Sequence, residues 1–245
     1  MIQVVILAGG AGTRLKPFTN LIPKPMIPIN DSPFILYLIE WLKRYNISKY
    51  VFCVGYLWDQ FKEFFGNGKK IGVDIEYSIE KEFLGTAGAI KLAQNLLADD
   101  FMVINGDTYL PIDYNDVYNK YKESNKLGLM VVYDNSDNVA ENNILLDENG
   151  LVSAYLKKEQ LKKGDELDKI EAQKENKHFQ YVDAGVYVFS KKILENVKEG
   201  LFFSLEKDIY PKLIEERQLQ GYVTSQRYYD MGTPERLDLI RKVLK

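Results

Sequence analysis

Ile2-Gln3-Val4-Val5-Ile6-Leu7-Ala8 runs straight into Gly9-Gly10-Ala11-Gly12-Thr13-Arg14-Leu15. The first seven residues are almost wholly apolar, rich in β-branched side chains, and stop at glycine. A short apolar run without alternation reads as a central parallel strand, buried on both faces. The glycines after it let the backbone turn tightly and approach a ligand, and their N–H groups can form a nest for phosphate oxygens. Arg14 adds a planar, permanently charged partner for phosphate. Two other glycine motifs are excluded: no Gly-Lys-Ser/Thr closes the loop as in a Walker A turn, and the spacing is not the GxGxxG of dinucleotide folds. The segment lacks a basic leader before its apolar stretch, so it reads as a strand and not a signal peptide, which sets a cytoplasmic location as the expectation.

Outward from this strand the pattern alternates. Residues 33–45 read as a helix, with Pro33 in its first turn and Ile35, Leu38, Ile39 and Leu42 at helical spacing. Residues 49–54 read as a strand, 57–65 as a short helix ended by Gly66-Asn67-Gly68, 75–79 as a strand, 86–97 as a helix and 101–104 as a strand. Strand–helix repetition predicts a parallel sheet flanked by helices. Residues 113–123 are expected to be helical. Strands are expected at 128–133, 143–146, 151–156 and 181–189, as antiparallel additions around the turn Asp147-Glu148-Asn149-Gly150. Residues 160–177 are charged and read as an exposed insertion. Residues 205–218 and 234–244 are expected to be helices, Thr233 capping the second. The fold class is therefore α/β: a Rossmann-like mixed, mostly parallel sheet flanked by helices. No linker or repeat divides the chain. Residues 1–245 are expected to form a single domain.

The composition narrows the chemistry. The 245 residues contain one histidine, His178, and one cysteine, Cys53. No intrachain disulfide can form, and no zinc site built from several His and Cys ligands. Cys53 lies in an apolar strand and reads as a small inert hydrophobe. His178 follows Lys174-Glu175-Asn176-Lys177 and reads as a solvated loop residue. The net charge is -3 with mixed signs, which argues against a nucleic-acid-coating protein. No apolar run of about 18 residues is present, so no membrane span is expected. The 17 tyrosines are expected to pack with their hydroxyls outward. The chemistry falls to carboxylates, lysines, arginines and backbone groups.

Several segments carry such groups. In Ile22-Pro23-Lys24-Pro25-Met26 the prolines are expected to hold their neighbours extended and so pre-position Lys24. Asn105-Gly106-Asp107 ends a strand, which is where open α/β sheets gather ligands. A carboxylate there has the chemistry Mg²⁺ prefers: one or two carboxylates completed by phosphate oxygens and water.

The run LAGGAGTRLKPFT followed by PKPMIPI closely resembles the amino-terminal signature of sugar-1-phosphate nucleotidylyltransferases. The resemblance continues through Glu80, Leu84-Gly85-Thr86-Ala87-Gly88, Asn105-Gly106-Asp107 and Tyr229-Asp230-Met231-Gly232-Thr233-Pro234, and so covers nearly the whole chain. The chain looks most like the short enzymes that activate heptose or mannose with guanosine nucleotide, and no hexapeptide repeat of the longer relatives is present. The resemblance implies transfer of a nucleotidyl group from an NTP to a sugar 1-phosphate, with release of pyrophosphate. Leu7, Ala8, Gly9, Gly10, Gly12 and Thr13 would hold the triphosphate, Arg14 the leaving pyrophosphate, and Lys24 the α-phosphate region. Asp107 and Asp230 would bind Mg²⁺. Glu80 and Gly85 align with base-contacting positions, and Thr86 falls in the nucleotide-binding set; residues 1–110 would be the nucleotide-binding half and 111–245 the sugar-phosphate-binding half. Lys158, Asp183 and Gly185 fall in the sugar-phosphate pocket, where Lys157 replaces a family glutamate and Asp183 a family asparagine, and these two could pair. A homodimer is implied by resemblance only.

The side chain at position 80 bears on the nucleotide. A carboxylate only accepts hydrogen bonds. Guanine presents two adjacent donors, N1–H and its 2-amino group. Uracil and thymine present one donor between two carbonyls, and relatives that use them tend to carry glutamine there. GTP is the expectation. The same reaction with CTP, UTP or dTTP, and a non-catalytic nucleotide-sugar sensor, remain the alternatives. A plain solvated run Glu80-Lys81-Glu82 would remove the argument for guanine.

Overall fold

In the computed structural model, which describes residues 2–156 and 179–244, the opening apolar run becomes strand β1 (Gln3–Ala8) in the interior of a nine-stranded sheet. Val4, Val5 and Ile6 are fully buried, as a strand covered on both faces requires. β2 (Lys49–Val54), β3 (Asp74–Ile79) and β4 (Asp100–Asn105) join it in parallel. β2 and β4 flank β1, and β3 lies outside β2. Helices α1 (Phe34–Lys43), α2 (Asp59–Phe65) and α3 (Gly85–Leu92) fall between these strands in the chain. The apolar face of α1, Phe34, Ile35, Leu38, Ile39 and Leu42, is completely buried. Each such side chain contributes about 1.5–3 kcal/mol.

The second half adds to the same sheet. It comprises α4 (Tyr114–Ser124), β5 (Gly128–Asp134), β6 (Ile144–Leu146), β7 (Val152–Tyr155), β8 (Tyr181–Ser190), α5 (Tyr210–Glu215), β9 (Leu219–Thr224) and α6 (Pro234–Val243). β8 runs antiparallel to β4, β5 and β6, while β9 lies parallel to β5. The parallel core therefore belongs to the first half, and the sheet is mixed. The β6–β7 turn falls where expected. Asp147 accepts from the N–H groups of Asn149 and Leu151, both at 2.9 Å, and Gly150 takes φ +73°.

Two features of this topology position a site. The chain moves outward from β1 through β2 to β3, then crosses back to place β4 on the other side of β1. The crevice at the carboxyl ends of β1 and β4 is the topological switch point, where such sheets bind ligands. In addition, the ladder between β8 and β5 slips between Asp183 and Tyr187. This irregularity places Gly185, at φ +73°, beside Asn105 and Thr108 at the end of β4. Bulges re-aim strands next to active sites.

Some expectations differ in detail. Pro33 precedes α1 in extended conformation. α3 ends at Leu92, and a short turn, Gln94–Leu96, follows. The expected helix at 205–218 opens as a wide turn, Leu205–Ile209, before α5. Pro211 has no N–H to donate back into that turn, which disfavours ordinary helical bonding there. β9 was not among the expected strands, since Gly221 interrupts its apolar run. Thr233 caps α6 as expected, accepting from the N–H of Arg236, and Ser204 caps the wide turn. The tyrosines correct the reading of their hydroxyls: Tyr50 and Tyr114, both buried, donate inward to the carbonyls of Ile47 and Leu110. Cys53 is buried as expected. The insertion at 160–177, Lys157, Lys158 and His178 lie outside the described residues. Among the described residues no helix is long and apolar enough to cross a membrane.

Candidate active site

The glycine loop leaves β1 through Gly9, beside the Glu80 carboxylate. A Cβ at Gly9 would sit 2.0 Å from Glu80 Oε1, so glycine is required for the two to coexist. Gly12 turns the loop with φ +60°, and Thr19 fixes the turn by donating its hydroxyl to the Gly12 carbonyl at 3.0 Å. Buried Leu15 anchors the far side. Arg14 is exposed on this loop and faces the cleft.

Lys24 opens a tight turn, Lys24–Met26, which corrects the extended conformation expected of it. Pro23, just before it, is extended. The Lys24 ammonium pairs with the Asp107 carboxylate. Asp107 reaches the cleft because Gly106 lets the chain pass close under β1. The Gly106 N–H donates to the Leu7 carbonyl at 2.9 Å, and a Cβ there would lie 2.8 Å from that oxygen.

Asp230 arrives from the other end of the chain. Tyr229–Asp230 pairs antiparallel with Thr108–Tyr109, and the Met231 N–H donates to the Asp107 carbonyl at 3.1 Å. This register sets Asp230 opposite Thr108, the residue after Asp107, and both aspartates line the cleft. Asp230 Oδ1 accepts from the Gly232 N–H at 2.7 Å, and Oδ2 pairs with the Arg236 guanidinium.

Glu80 is 8% exposed, whereas Lys81 and Glu82 are exposed. It is therefore set apart from a solvated charge run. Its Oε2 accepts from the Leu84 N–H at 3.1 Å. Burial pushes its pKa up, partly offset by that hydrogen bond. Gly85, at φ +73°, lies under the Phe203 carbonyl, and Thr86 accepts from the Leu205 N–H at 2.8 Å. At the opposite end, Asp183 accepts the Tyr187 hydroxyl on both oxygens at 2.8 Å, the Tyr155 hydroxyl at 3.3 Å and the Gly185 N–H at 2.9 Å. Burial, and then the Asp183 charge, hold the Tyr155 and Tyr187 phenols protonated.

One cleft of about 1050 Å³ unites these groups. Its lining includes Leu7, Ala8, Gly9, Gly10, Gly12, Thr13, Arg14, Lys24, Glu80, Gly85, Thr86, Asp107, Asp183, Gly185 and Asp230. Every expected site residue among the described ones is thus brought to one cavity, of a size suited to a nucleotide and a second small ligand. Sequence reasoning missed Phe83, Tyr155, Tyr187, Glu206 and Arg236, which line it too. Asp230 ends a short strand and Arg236 lies in the first turn of α6, so no single period spans the pair and its pairing had no signal in the sequence. The tyrosines were lost among 17.

The two aspartates fit a magnesium ion. Both are hard oxygen donors that line the same cleft, and Mg²⁺ takes few protein ligands, the rest being phosphate oxygens and water. Among the described residues no cluster of three or more His, Cys, Asp or Glu groups offers an all-protein cage.

The chain belongs to the nucleotidyl transferase family, whose pattern matches residues 3–243. It is 33% identical to D-glycero-alpha-D-manno-heptose 1-phosphate guanylyltransferase of Campylobacter jejuni, over 95% of this chain and 96% of that one. It is 30% identical to mannose-1-phosphate guanylyltransferase of Mycobacterium tuberculosis, over 98% of this chain but 63% of that longer protein. The crystal structure of HddC from Yersinia pseudotuberculosis complexed with GMP-PN superposes with TM-score 0.77 over 100% of both chains, at 30% identity.

Proposed function

We propose that the chain transfers a guanylyl group from GTP to a heptose- or mannose-type sugar 1-phosphate, releasing pyrophosphate. The carrying observation is a single cleft. It brings together a glycine loop, two cations, Arg14 and Lys24, the carboxylates Asp107 and Asp230, and buried Glu80 beside the loop, with Lys24 paired to Asp107. The relatives with closely matching sequences are guanylyltransferases of heptose and mannose 1-phosphates.

Each residue has a task in this reading. The N–H groups of the glycine loop and Arg14 take the β- and γ-phosphates. Glu80, acceptor-only when ionised, takes the two donors of guanine. Lys24 moves from Asp107 to the α-phosphate as charge builds there. Asp107 and Asp230 would hold Mg²⁺, which supplies charge neutralisation at the phosphates when bound. The attacking oxygen belongs to a phosphate already ionised near neutral pH, so no general base is required and none is assigned. Catalysis is positioning plus charge stabilisation. Asp183 and Gly185 border the sugar end, and Lys158 is assigned there with them. The reaction suits a cytoplasmic enzyme.

A pyrophosphate-release assay with the four common NTPs against heptose, mannose and glucose 1-phosphates tests the reading. GTP with a manno-configured sugar phosphate should be preferred. Preference for another NTP removes the assignment of Glu80, and no release with any pair removes the enzymatic reading in favour of a sensor.

A further inference from the structure

Arg236 has no part in the reaction as described so far, yet it sits on the cleft wall. Its position is well determined. Thr233 caps α6, Arg236 lies in the first turn, and its guanidinium reaches back to Asp230 Oδ2. The other oxygen of Asp230 is held by the Gly232 N–H. Both carboxylates of the pair are thus neutralised by cations from different parts of the chain, Asp107 by Lys24 and Asp230 by Arg236. Arg236 also borders the part of the cleft walled by Tyr228 and Val139, away from the glycine loop. Tyr228, Val139 and Arg236 line the same cleft as Asp230 and Asp183.

We propose that Arg236 binds the phosphate of the incoming sugar 1-phosphate, and that its ion pair with Asp230 stores this cation at the site until a divalent metal takes the carboxylate. Three observations support it. The Arg236 side chain is 40% exposed, so it has room to turn into the cleft, and the Asp230 carboxylate it would leave, 17% exposed, is the charge a metal would compensate. A planar fork suits a phosphate better than a single carboxylate oxygen. A divalent metal held by Asp230 would compete with Arg236 for the same oxygen and would leave the guanidinium free for the phosphate.

The inference rests on the nucleotidyl-transfer reading, and its test separates the two. Free Mn²⁺ binding to the nucleotide-free protein is followed by electron paramagnetic resonance for the wild type, Arg236→Ala and Arg236→Lys. Steady-state rates are measured with GTP and α-D-mannose 1-phosphate or its heptose counterpart, whichever the wild type turns over. Arg236→Ala should bind Mn²⁺ about tenfold more tightly, because a neighbouring positive charge is gone. Its KM for the sugar 1-phosphate should rise about 10²-fold while the KM for GTP moves little. Arg236→Lys should keep the weak Mn²⁺ binding and recover part of the sugar-phosphate KM. Weaker or unchanged Mn²⁺ binding in Arg236→Ala overturns the stored-cation role. An unchanged KM for the sugar phosphate, or equal losses for both substrates, overturns the phosphate contact. A wild type inactive with every substrate pair counts against the reaction, and the Mn²⁺ measurement still decides the ion pair.

Discussion

Glu80 occupies the space that any side chain at Gly9 would need: a Cβ at Gly9 would stand 2.0 Å from its Oε1. Gly55 crowds it from another direction, a Cβ there falling 2.8 Å from Glu80 Cγ. The carboxylate is therefore held between two glycines at the ends of β1 and β2. Gly9→Ala should leave the fold intact, since only a side-chain tip must move, but should displace Glu80. Loss of a charged hydrogen-bonding partner for the base raises the KM for GTP about 10–100-fold. A Gly9→Ala protein with unchanged KM would show that Glu80 does not read the base.

The pH dependence of Glu80 has two signs. Its folded pKa lies above the ordinary carboxylate value because burial disfavours the charge. The fold therefore prefers the protonated form, and its contribution to stability is lost as pH rises through the folded pKa. Glu80→Gln removes that loss, so the variant should melt higher than the wild type at pH 8 and draw level near pH 4. GTP binding runs the other way: the wild-type KM should fall as pH rises and the carboxylate ionises. The variant should show no such trend and should shift its preference toward UTP or dTTP. Parallel melting curves and KM profiles for the two proteins would refute the assignment.

Asp107 is expected to be needed for turnover, not for folding. Asp107→Asn keeps the size of the side chain but removes the charge that faces Lys24 and would face Mg²⁺. Turnover should drop by about 10²–10³-fold, and the Mg²⁺ concentration for half-maximal rate should rise. An Asp107→Asn enzyme with the wild-type Mg²⁺ response sinks the metal assignment.

Cys53 offers a check on the sheet itself. Burial pushes its thiol up to about 12, with the Glu80 charge adding to the effect. At pH 8 the thiolate is about one part in 10⁴. Ellman's reagent should leave the native protein unlabelled and titrate one thiol after denaturation. Rapid labelling of the native state would contradict the burial of β2.

Tyr187→Phe tests the floor of the sugar end. The phenol donates to both oxygens of Asp183, and its loss leaves that half-buried carboxylate short of a donor. A loss of about 1–3 kcal/mol in stability is expected, measurable by denaturant unfolding. A neutral result would mean that Asp183 is already satisfied by Tyr155 and Gly185.

What could be read in advance followed the locality of the signal. β1, β2 and β4 are apolar runs bounded by polar or glycine residues, so strand identity and burial were legible together. The glycine loop was legible because its residues are consecutive. β9 was hidden because Gly221 breaks its pattern, and its partner β5 lies far away in sequence. The Arg236–Asp230 and Lys24–Asp107 pairs were hidden for the same reason: charge pairing across loops leaves no period. Glu80 could be named from the sequence, but only its burial, beside exposed Lys81 and Glu82, separates it from its neighbours.

The slip in β8 has a consequence for how such a chain can change. Residues 186–190 of β8 are locked in register with β4, while 181–183 take their register from β5. Between them the ladder has slack, so an altered length or sequence on the Asp183 side need not propagate into the strands that carry the glycine loop and Asp107. The bulge works as an expansion joint. One end of the cleft can be recut for a new acceptor while the end that handles the nucleotide keeps its geometry.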